Sequence, residues 1–507
     1  MVSYDWIELR TPADYDLLIE VLDPEFDPKG IAQRLKTQFT PATKGILVEH
    51  GYVDKDYRST FYSFYAKMAR PYRPDCVRLH FFDGTVWYDE HRTDIACSDL
   101  RPQDHYFGYI VLRPTMEATL GRSLLSPDMR LGARGRAIQS IHHANVLGHR
   151  LPIWGFPSMT QHVDIAVCAH VCCWAILRYY SETYPKHKEY LLHDITKLAA
   201  PFDPGGIVPS LGINVFEAER VFQTADCFPL LVGRRNSSSD EAFFSQFLAY
   251  LESGFPLFVE IPSKEHAVVA VGHNWKQSAV PPPASSSHVW TQVETLLTVD
   301  DNLLPYASIP LEASPNAAHQ PPYAANQFNS FIVALPDKIF YPADAIGVTC
   351  QAVKRALESS RDPDLEPLEL ERYFITTVSK LREHAREYQS LLGDSLVGLL
   401  MHLKTAQYVW VIEYCSVRQW QSGHIAARAI VDATASSTDK MPIWVLHDEE
   451  VAHVFDRTSA ETQPTSIQLS RATHGPLPRM ELNLRPVVES YAPTGTSEGG
   501  TVTGEDE

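Results

Sequence analysis

The sequence is short of cysteine and has no long apolar run. Its eight cysteines among 507 residues, two of them adjacent, are too few for the disulfide framework of a small secreted domain. No window approaches the roughly 20 consecutive apolar residues of a membrane span. The opening residues MVSYDWIELR also lack the basic-then-apolar pattern of a signal peptide. We therefore expect a reduced, cytoplasmic, soluble protein that does not contact membranes.

Basic residues are also scarce. Lys and Arg number 44 against 62 Asp and Glu, which gives a formal net charge of −18. A chain of this charge repels phosphate backbones, so we expect no nucleic-acid partner. The exception is the segment 122–150, which is rich in arginine and contains the pair His142-His143. In so acidic a chain, this segment is more typical of a solvated connection than of an anion-binding patch.

The remaining composition is that of an ordinary globular protein, with 44% hydrophobic and 21% charged residues. The element pattern predicts an α+β protein with a central core domain and two α/β flanking domains. The predicted boundaries are 1–150 for the N-terminal domain, 151–336 for the core and 337–490 for the C-terminal domain, followed by a disordered acidic tail over 491–507.

Within the core, a helix starting near Val167 is apolar on nearly all sides and is expected to be buried. Continuous apolar runs predict buried strands over 255–261, 266–275 and 295–301. The Pro/Ser-rich stretch 277–288 between the last two strands is expected to be a mobile loop. Farther on, the pattern predicts one long amphipathic helix over 365–392, then a strand hairpin that turns at 421–423.

Four residue types that serve thiol hydrolysis occur in order along these elements. Cys168 falls in the first turn of the predicted helix, where unpaired backbone N–H groups and the helix dipole stabilise a thiolate nucleophile. Gln161 precedes it and could supply an oxyanion donor. His266 opens a strand and suits a general base, while Asp300 and Asp301 end the next strand and could orient the imidazole.

The block PSMTQHVDIAVCAHVCCWAILRYY resembles the active-site segment of stand-alone relatives of bacteriocin-processing, double-glycine leader peptidases, in the papain-like cysteine peptidase superfamily. The resemblance continues through ESGFPLFVEI, EHAVVAVGHN and LLTVDDNLLPY and covers about residues 154–305. It implies a papain-like fold in which Cys168, His266 and an aspartate form the catalytic triad and Gln161 stabilises the oxyanion.

Two details differ from the family pattern. The family usually has Asp-Cys-Gly-Pro at its nucleophile, whereas this chain has Val-Cys-Ala-His over 167–170, and the interval from Gln161 to Cys168 is one residue longer. Alignment of the last strand places Asp301 in the acid role, with Asp300 as the alternative. Because adjacent strand residues point to opposite faces, we expect only one of the two to reach His266.

The resemblance implies a cysteine-dependent amide hydrolase, a peptidase or isopeptidase, that acts on a protein or peptide and needs no cofactor or metal. A zinc site built from Cys168, His170 and Cys172 is disfavoured, because His170 lies about 200° around the helix from Cys168. Two other functions stay open: a catalytically inactive papain-like scaffold that binds protein, and an acyltransferase of the transglutaminase type. The sequence leaves the oligomeric state undefined.

Overall fold

The computed structural model describes residues 3–83, 86–89, 94–97, 102–115, 119–161, 168–201, 212–284, 286–313, 321–337, 339–436, 438–439, 442–456, 463–470 and 475–487. The predicted tail at 491–507 lies outside these ranges, as does Val167. Within them the chain is a mixed α+β protein whose sheets are antiparallel. None of its described helices combines the length and apolar character that crossing a membrane would require.

The N-terminal part is built on a five-stranded sheet of order β1-β2-β3-β6-β7. Its elements are β1 (Ser3–Glu8), α1 (Leu18–Val21), α2 (Pro28–Gln38), β2 (Gly45–Tyr52), α3 (Lys55–Ser63), β3 (Cys76–Phe82), β4 (Val86–Asp89), β5 (Asp94–Cys97), β6 (Tyr106–Leu112), β7 (Leu120–Leu125), β8 (Gly135–Ala137), β9 (Ser140–Val146) and β10 (His149–Gly155). Separate apolar clusters cover its two faces, one with α1 and α2, the other with α3 and the β9–β10 hairpin. This explains why all of β3 is buried.

The arginine-rich segment 122–150 is not the solvated connection that its charge indicated. It contributes to β7 and forms β8, β9 and the start of β10. Arg122 is buried and pairs with Asp54 at 3.1 Å, so its charge is used inside the fold. In the predicted surface pair, His142 is buried while His143 is exposed, because strand residues alternate between the two faces.

The central part is built on an eight-stranded sheet. Its elements are α4 (Cys168–Thr183), α5 (Leu192–Ala199), α6 (Val215–Thr224), β11 (Phe228–Gly233), α7 (Asp240–Glu252), β12 (Leu257–Ile261), β13 (His266–Trp275), β14 (Val293–Val299), β15 (Ala307–Pro310) and β16 (Ser330–Leu335). The strand order is β11-β16-β12-β13-β14-β15, and β8 also pairs with β13. The buried helix α4 packs on β12 and β13, which confirms the predicted helix and the three predicted strands.

The C-terminal part is built on a six-stranded sheet of order β17-β18-β20-β21-β22-β23. Its elements are α8 (Ala343–Ser360), β17 (Leu370–Thr377), α9 (Val378–Glu387), α10 (Gln389–Leu392), α11 (Asp394–His402), β18 (Tyr408–Cys415), α12 (Val417–Gln421), β19 (His424–Ile425), β20 (Ala427–Asp432), β21 (Ile443–His447), β22 (Val451–Val454), β23 (Thr465–Gln468), β24 (Leu477–Pro478) and β25 (Arg485–Val487). Strand β25 returns to pair with β8 and is the eighth strand of the central sheet.

Two sequence expectations for this part are wrong. The stretch 365–392 is not one helix: its first half contains the buried strand β17, paired with β18, and only its second half is helical. Both faces of β17 are buried, and its charged residues Glu371 and Arg372 are buried with the apolar ones, so no alternation of polar and apolar residues marks the strand in the sequence. Strands β18 and β20 do pair, but the short helix α12 joins them where a tight turn was expected.

The central and C-terminal parts share one continuous apolar core that extends from Ala133 to Val487. A buried ion-pair chain also joins them, because Arg372 of β17 contacts Glu252 of α7 and pairs with Glu413 of β18 at 2.9 Å.

The stretch 277–288 is fastened to the C-terminal part rather than mobile. Gln421 exchanges hydrogen bonds with the backbone of Gln277 and Ala279, and the Glu371 N–H donates to the Ser287 carbonyl at 2.8 Å. The prolines at 281–283 have no N–H to donate to a strand ladder, so the stretch forms no strand, and the contacts to Gln421 and Glu371 hold it instead.

Candidate active site

The site starts from the position of Cys168, the first residue of α4. The helix is fixed because its sides are buried in the central core. Cys168 itself is half-buried, whereas Cys172 and Cys173, farther along the same helix, are buried. Its sulfur therefore lies at the positive end of the helix dipole and at the border between core and solvent, as a nucleophilic thiol requires.

His266 lies opposite the cysteine, at the start of β13. Its position is set by pairing with Ile261 across the β12–β13 ladder, and α4 packs on these same two strands. The imidazole is 13% exposed and is hydrogen-bonded to the Cys168 side chain. A cysteine and a histidine 98 positions apart are therefore joined by the packing of α4 on the sheet.

Both candidate carboxylates face the same imidazole. Nε2 of His266 lies 3.1 Å from Oδ1 of Asp300, a hydrogen bond, and 3.8 Å from Oδ1 of Asp301. The hydrogen bond thus involves Asp300, the alternative in the sequence alignment, rather than Asp301. The expectation that only one aspartate could approach is wrong because β14 ends at Val299 and the two residues belong to the following turn, where strand alternation no longer applies.

Asp300 is held in place by two further donors. Tyr323 donates its hydroxyl to Oδ2 at 2.8 Å, and the Asn302 backbone N–H donates to Oδ1 at 2.8 Å. Asp301 accepts one side-chain hydrogen bond, from Nδ2 of Asn302 at 3.2 Å. Asp300 therefore has the fixed orientation that a residue positioning the imidazole needs.

The electrostatics separate the two aspartates. Burial opposes ionisation of Asp300, but the hydrogen bonds from His266, Asn302 and Tyr323 and the His266 charge hold its pKa below the ordinary value. Burial raises the pKa of Asp301 to about 7, and the adjacent Asp300 charge adds to this, although His266 opposes it. Asp300 therefore ionises at lower pH than Asp301, and it carries the negative charge that faces His266.

The histidine is set up to hold a proton. Burial alone would lower the pKa of His266, but hydrogen bonds to Asp300 and Cys168, together with the charges of Asp300 and Asp301, raise it to about 10. A protonated imidazole hydrogen-bonded to the Cys168 side chain places beside it the kind of positive charge that nucleophilic thiols in general require.

Cys168 and His266 open into a groove of about 620 Å³. Gln161 lines the same groove and is half-buried, so the three sequence-predicted residues that would meet a substrate share one surface. The two aspartates are buried and are not part of the groove lining, which places them behind the imidazole. A substrate carbonyl in this groove would meet the thiol and the histidine from one side.

The same side chains also form a candidate cation site. His266, Asp300 and Asp301 offer ligand atoms that all lie within 4.8 Å of one another. Cys168, His170 and Cys172 form no such group within the described ranges. A cation at this site would have to displace the hydrogen bond between His266 and Asp300, so the geometry favours imidazole positioning over metal binding.

Sequence reasoning missed Tyr323 and Asn302. Tyr323 lies in a Pro/Ala/Asn-rich stretch that carries no motif, and its hydroxyl bonds to Asp300, 23 positions earlier in the chain. No local signal marks it. The Asp-Asp-Asn run at 300–302 is the one feature that could have indicated a turn with side chains converging.

Replacing Tyr323 with phenylalanine is expected to lower kcat by about tenfold with KM unchanged, because Asp300 loses one charge-assisted hydrogen bond while the groove lining is untouched. Loss of that donor raises the pKa of Asp300, so the acid limb of the pH–rate profile should move to higher pH. Tyr250→Phe removes another buried tyrosine hydroxyl, which accepts from Ala343 N–H, and should shift thermal stability without moving the limb. Equal profiles for the two variants would contradict this role for Tyr323.

No model of a known protein family matches the chain, and neither the curated proteins nor the solved structures contain a match. The resemblance to leader peptidases therefore stays a prediction, and the function has to be argued from the site itself.

Proposed function

We propose that this protein is a cysteine-dependent amide hydrolase with a papain-like core, acting on a peptide or isopeptide bond. The observation that carries the proposal is the chain of contacts from Cys168 through His266 to Asp300. Cys168 and His266 line the same groove as Gln161. A helix-start cysteine, a strand-start histidine and a buried carboxylate in this order are the parts of a thiol acyl-transfer site.

The chemistry follows from these positions. The Cys168 thiolate attacks the substrate carbonyl carbon, and a negative charge develops on the carbonyl oxygen. The side-chain amide of Gln161 and the backbone N–H of Cys168, at the start of α4, stabilise this charge. The C–N bond then breaks, and the leaving amine takes its proton from the His266 imidazolium, which leaves a thioester on Cys168. Water attacks the thioester, His266 accepts a proton from it, and the carboxylic acid is released as the thiolate and imidazolium are restored.

Asp300 and His266 have distinct roles in this reaction. Asp300 bonds Nε2 of His266 and so leaves Nδ1 for the thiol and the substrate. The acid limb of activity should follow the loss of charge on the Asp300–Asp301 pair, and the base limb the loss of the His266 proton, whose pKa is raised to about 10.

The proposal is tested by alkylation of the intact protein with iodoacetamide, located by peptide mass spectrometry. At pH 6 to 7, Cys168 should react faster than an unpaired thiol, because the imidazolium maintains the thiolate. His266→Gln removes the positive charge beside the sulfur and should lower this rate by about tenfold or more. The excess over an unpaired thiol should shrink as pH rises through about 8.5, because the unpaired thiol then ionises without help.

A reaction rate equal to that of an unpaired thiol, unchanged in His266→Gln, would overturn the hydrolase proposal and leave the binding scaffold. If Cys168 is activated, peptide amides incubated with and without a primary amine separate hydrolysis from acyl transfer. Release of a free carboxylate supports the proposal, whereas amine incorporation as the sole product would indicate the transglutaminase type.

A further inference from the structure

The wall of the groove beside His266 carries negative charge. Glu260 on β12 and Glu265, which directly precedes His266, both line it, and so does Glu217 at the start of α6. The described lining residues include neither lysine nor arginine. The positive charge of His266 faces Cys168 and Asp300, so a substrate that reaches Cys168 passes carboxylates that no lysine or arginine among the described lining residues neutralises.

The surroundings of Glu260 fix its orientation without neutralising it. The carboxylate accepts hydrogen bonds from the Asn329 amide at 3.1 Å and from the Ser330 hydroxyl, both uncharged donors. Its strand position is opposite Ala267, one residue from the catalytic histidine. Uncharged donors orient a carboxylate and leave its full charge to act on a ligand.

The backbone conformation determines where Glu265 lies, and no side chain among the described residues is hydrogen-bonded to its carboxylate. It adopts a left-handed conformation with φ of 48° at the end of the short turn over 262–264, and it is exposed. The neighbouring Lys264 is exposed as well, but it does not line the groove. Glu217 differs, because its carboxylate accepts from Asn214 N–H at 2.7 Å and caps α6, so the helix dipole offsets part of its charge.

We infer that the groove selects a peptide segment with a lysine or arginine side chain beside the bond that Cys168 attacks, and that Glu260 and Glu265 determine this preference. The inference rests on the proposed function, since it names the substrate class of the same site. Two carboxylates on one wall of a concave surface attract a cationic side chain and repel an acidic one, which favours the first in both encounter and binding.

The test uses three methanethiosulfonate reagents of similar size, one cationic (ethylammonium), one neutral (methyl) and one anionic (ethylsulfonate). In each, the Cys168 thiolate displaces methanesulfinate and forms a mixed disulfide, so no substrate has to be known. Rates measured on Cys168→Ala are subtracted to remove reaction at other cysteines. Each rate is divided by the rate of the same reagent with a small unpaired thiol, because a thiolate alone already favours the cationic reagent. We expect this normalised cation-to-anion ratio to be about ten at low ionic strength and to fall as salt is added.

Glu260→Gln and Glu265→Gln should each lower the cation-to-anion rate ratio by about threefold, because each removes one negative charge from the groove wall. Glu20→Gln is the matched control, because Glu20 is exposed on α1, outside the groove, and its replacement changes the net charge equally. A second readout is cleavage of coumarin amides of peptides ending in lysine, arginine, leucine or glutamate, where the basic residues should give the highest kcat/KM.

Failure of the proposed function and failure of the charge preference give different results. A slow reaction of Cys168 with the neutral reagent, like that of an unpaired thiol, would contradict the proposed function whatever the charge ratio. Fast neutral reaction with a cation-to-anion ratio near one, unchanged in both glutamate variants, would overturn the inference and leave the hydrolase intact. Faster cleavage of the glutamate amide than of the lysine and arginine amides would also overturn it.

Discussion

Cys168→Ala is expected to lower turnover of a peptide amide by about 10³-fold or more, because the substitution removes the atom that forms the thioester. The fold should persist, since Cys168 is only half-buried and lies at the edge of the core. The measurement is kcat/KM for a peptide amide together with the thermal unfolding curve of the same preparation.

The control is Cys172→Ala, one helical turn farther along α4. Cys172 is buried in the core, so its replacement should cost about 1–2 kcal/mol of stability while most of the activity is kept. A Cys168→Ala protein that unfolds normally and still turns over the amide at the wild-type rate would exclude the thiol mechanism.

Asp300→Asn is expected to lower kcat by about 10²–10⁴-fold, because an amide in place of the carboxylate no longer fixes the histidine tautomer or stabilises the imidazolium. The Tyr323 hydroxyl would also lose its anionic acceptor. The rate is measured at several pH values, and the iodoacetamide reactivity of Cys168 should fall in parallel, since the proton on His266 depends on this charge.

Asp301→Asn is the matched comparison, with the same change of chemistry at the next residue. Its pKa is raised to about 7, so near neutral pH the carboxyl is protonated in a large fraction of molecules, and asparagine resembles that form. We expect a loss of less than about tenfold. A larger loss in Asp301→Asn than in Asp300→Asn would give the acid role to Asp301, as the sequence alignment had it.

Local pattern was sufficient for the elements that present the site. The unbroken apolar character of α4 marks a buried helix with Cys168 at its first turn, and the apolar runs of β12, β13 and β14 mark buried strands. These signals are local because burial on all sides leaves no polar face to interrupt the run. Burial on both faces also hides the strand within 365–392, because β17 is buried along nearly all of its length and its sequence has no alternating pattern.

The amino-acid sequence by itself thus determined which residues could be nucleophile and base, and on which elements they lie. Tertiary structure alone decided that Asp300 bonds His266, that Tyr323 supports it, and that Glu260 and Glu265 face the groove. It also decided that β8 and β25, from outside 151–336, pair beside the central sheet. The physical reason is that side-chain direction in a turn, and partners far apart in the chain, are set by packing rather than by the period of neighbouring residues.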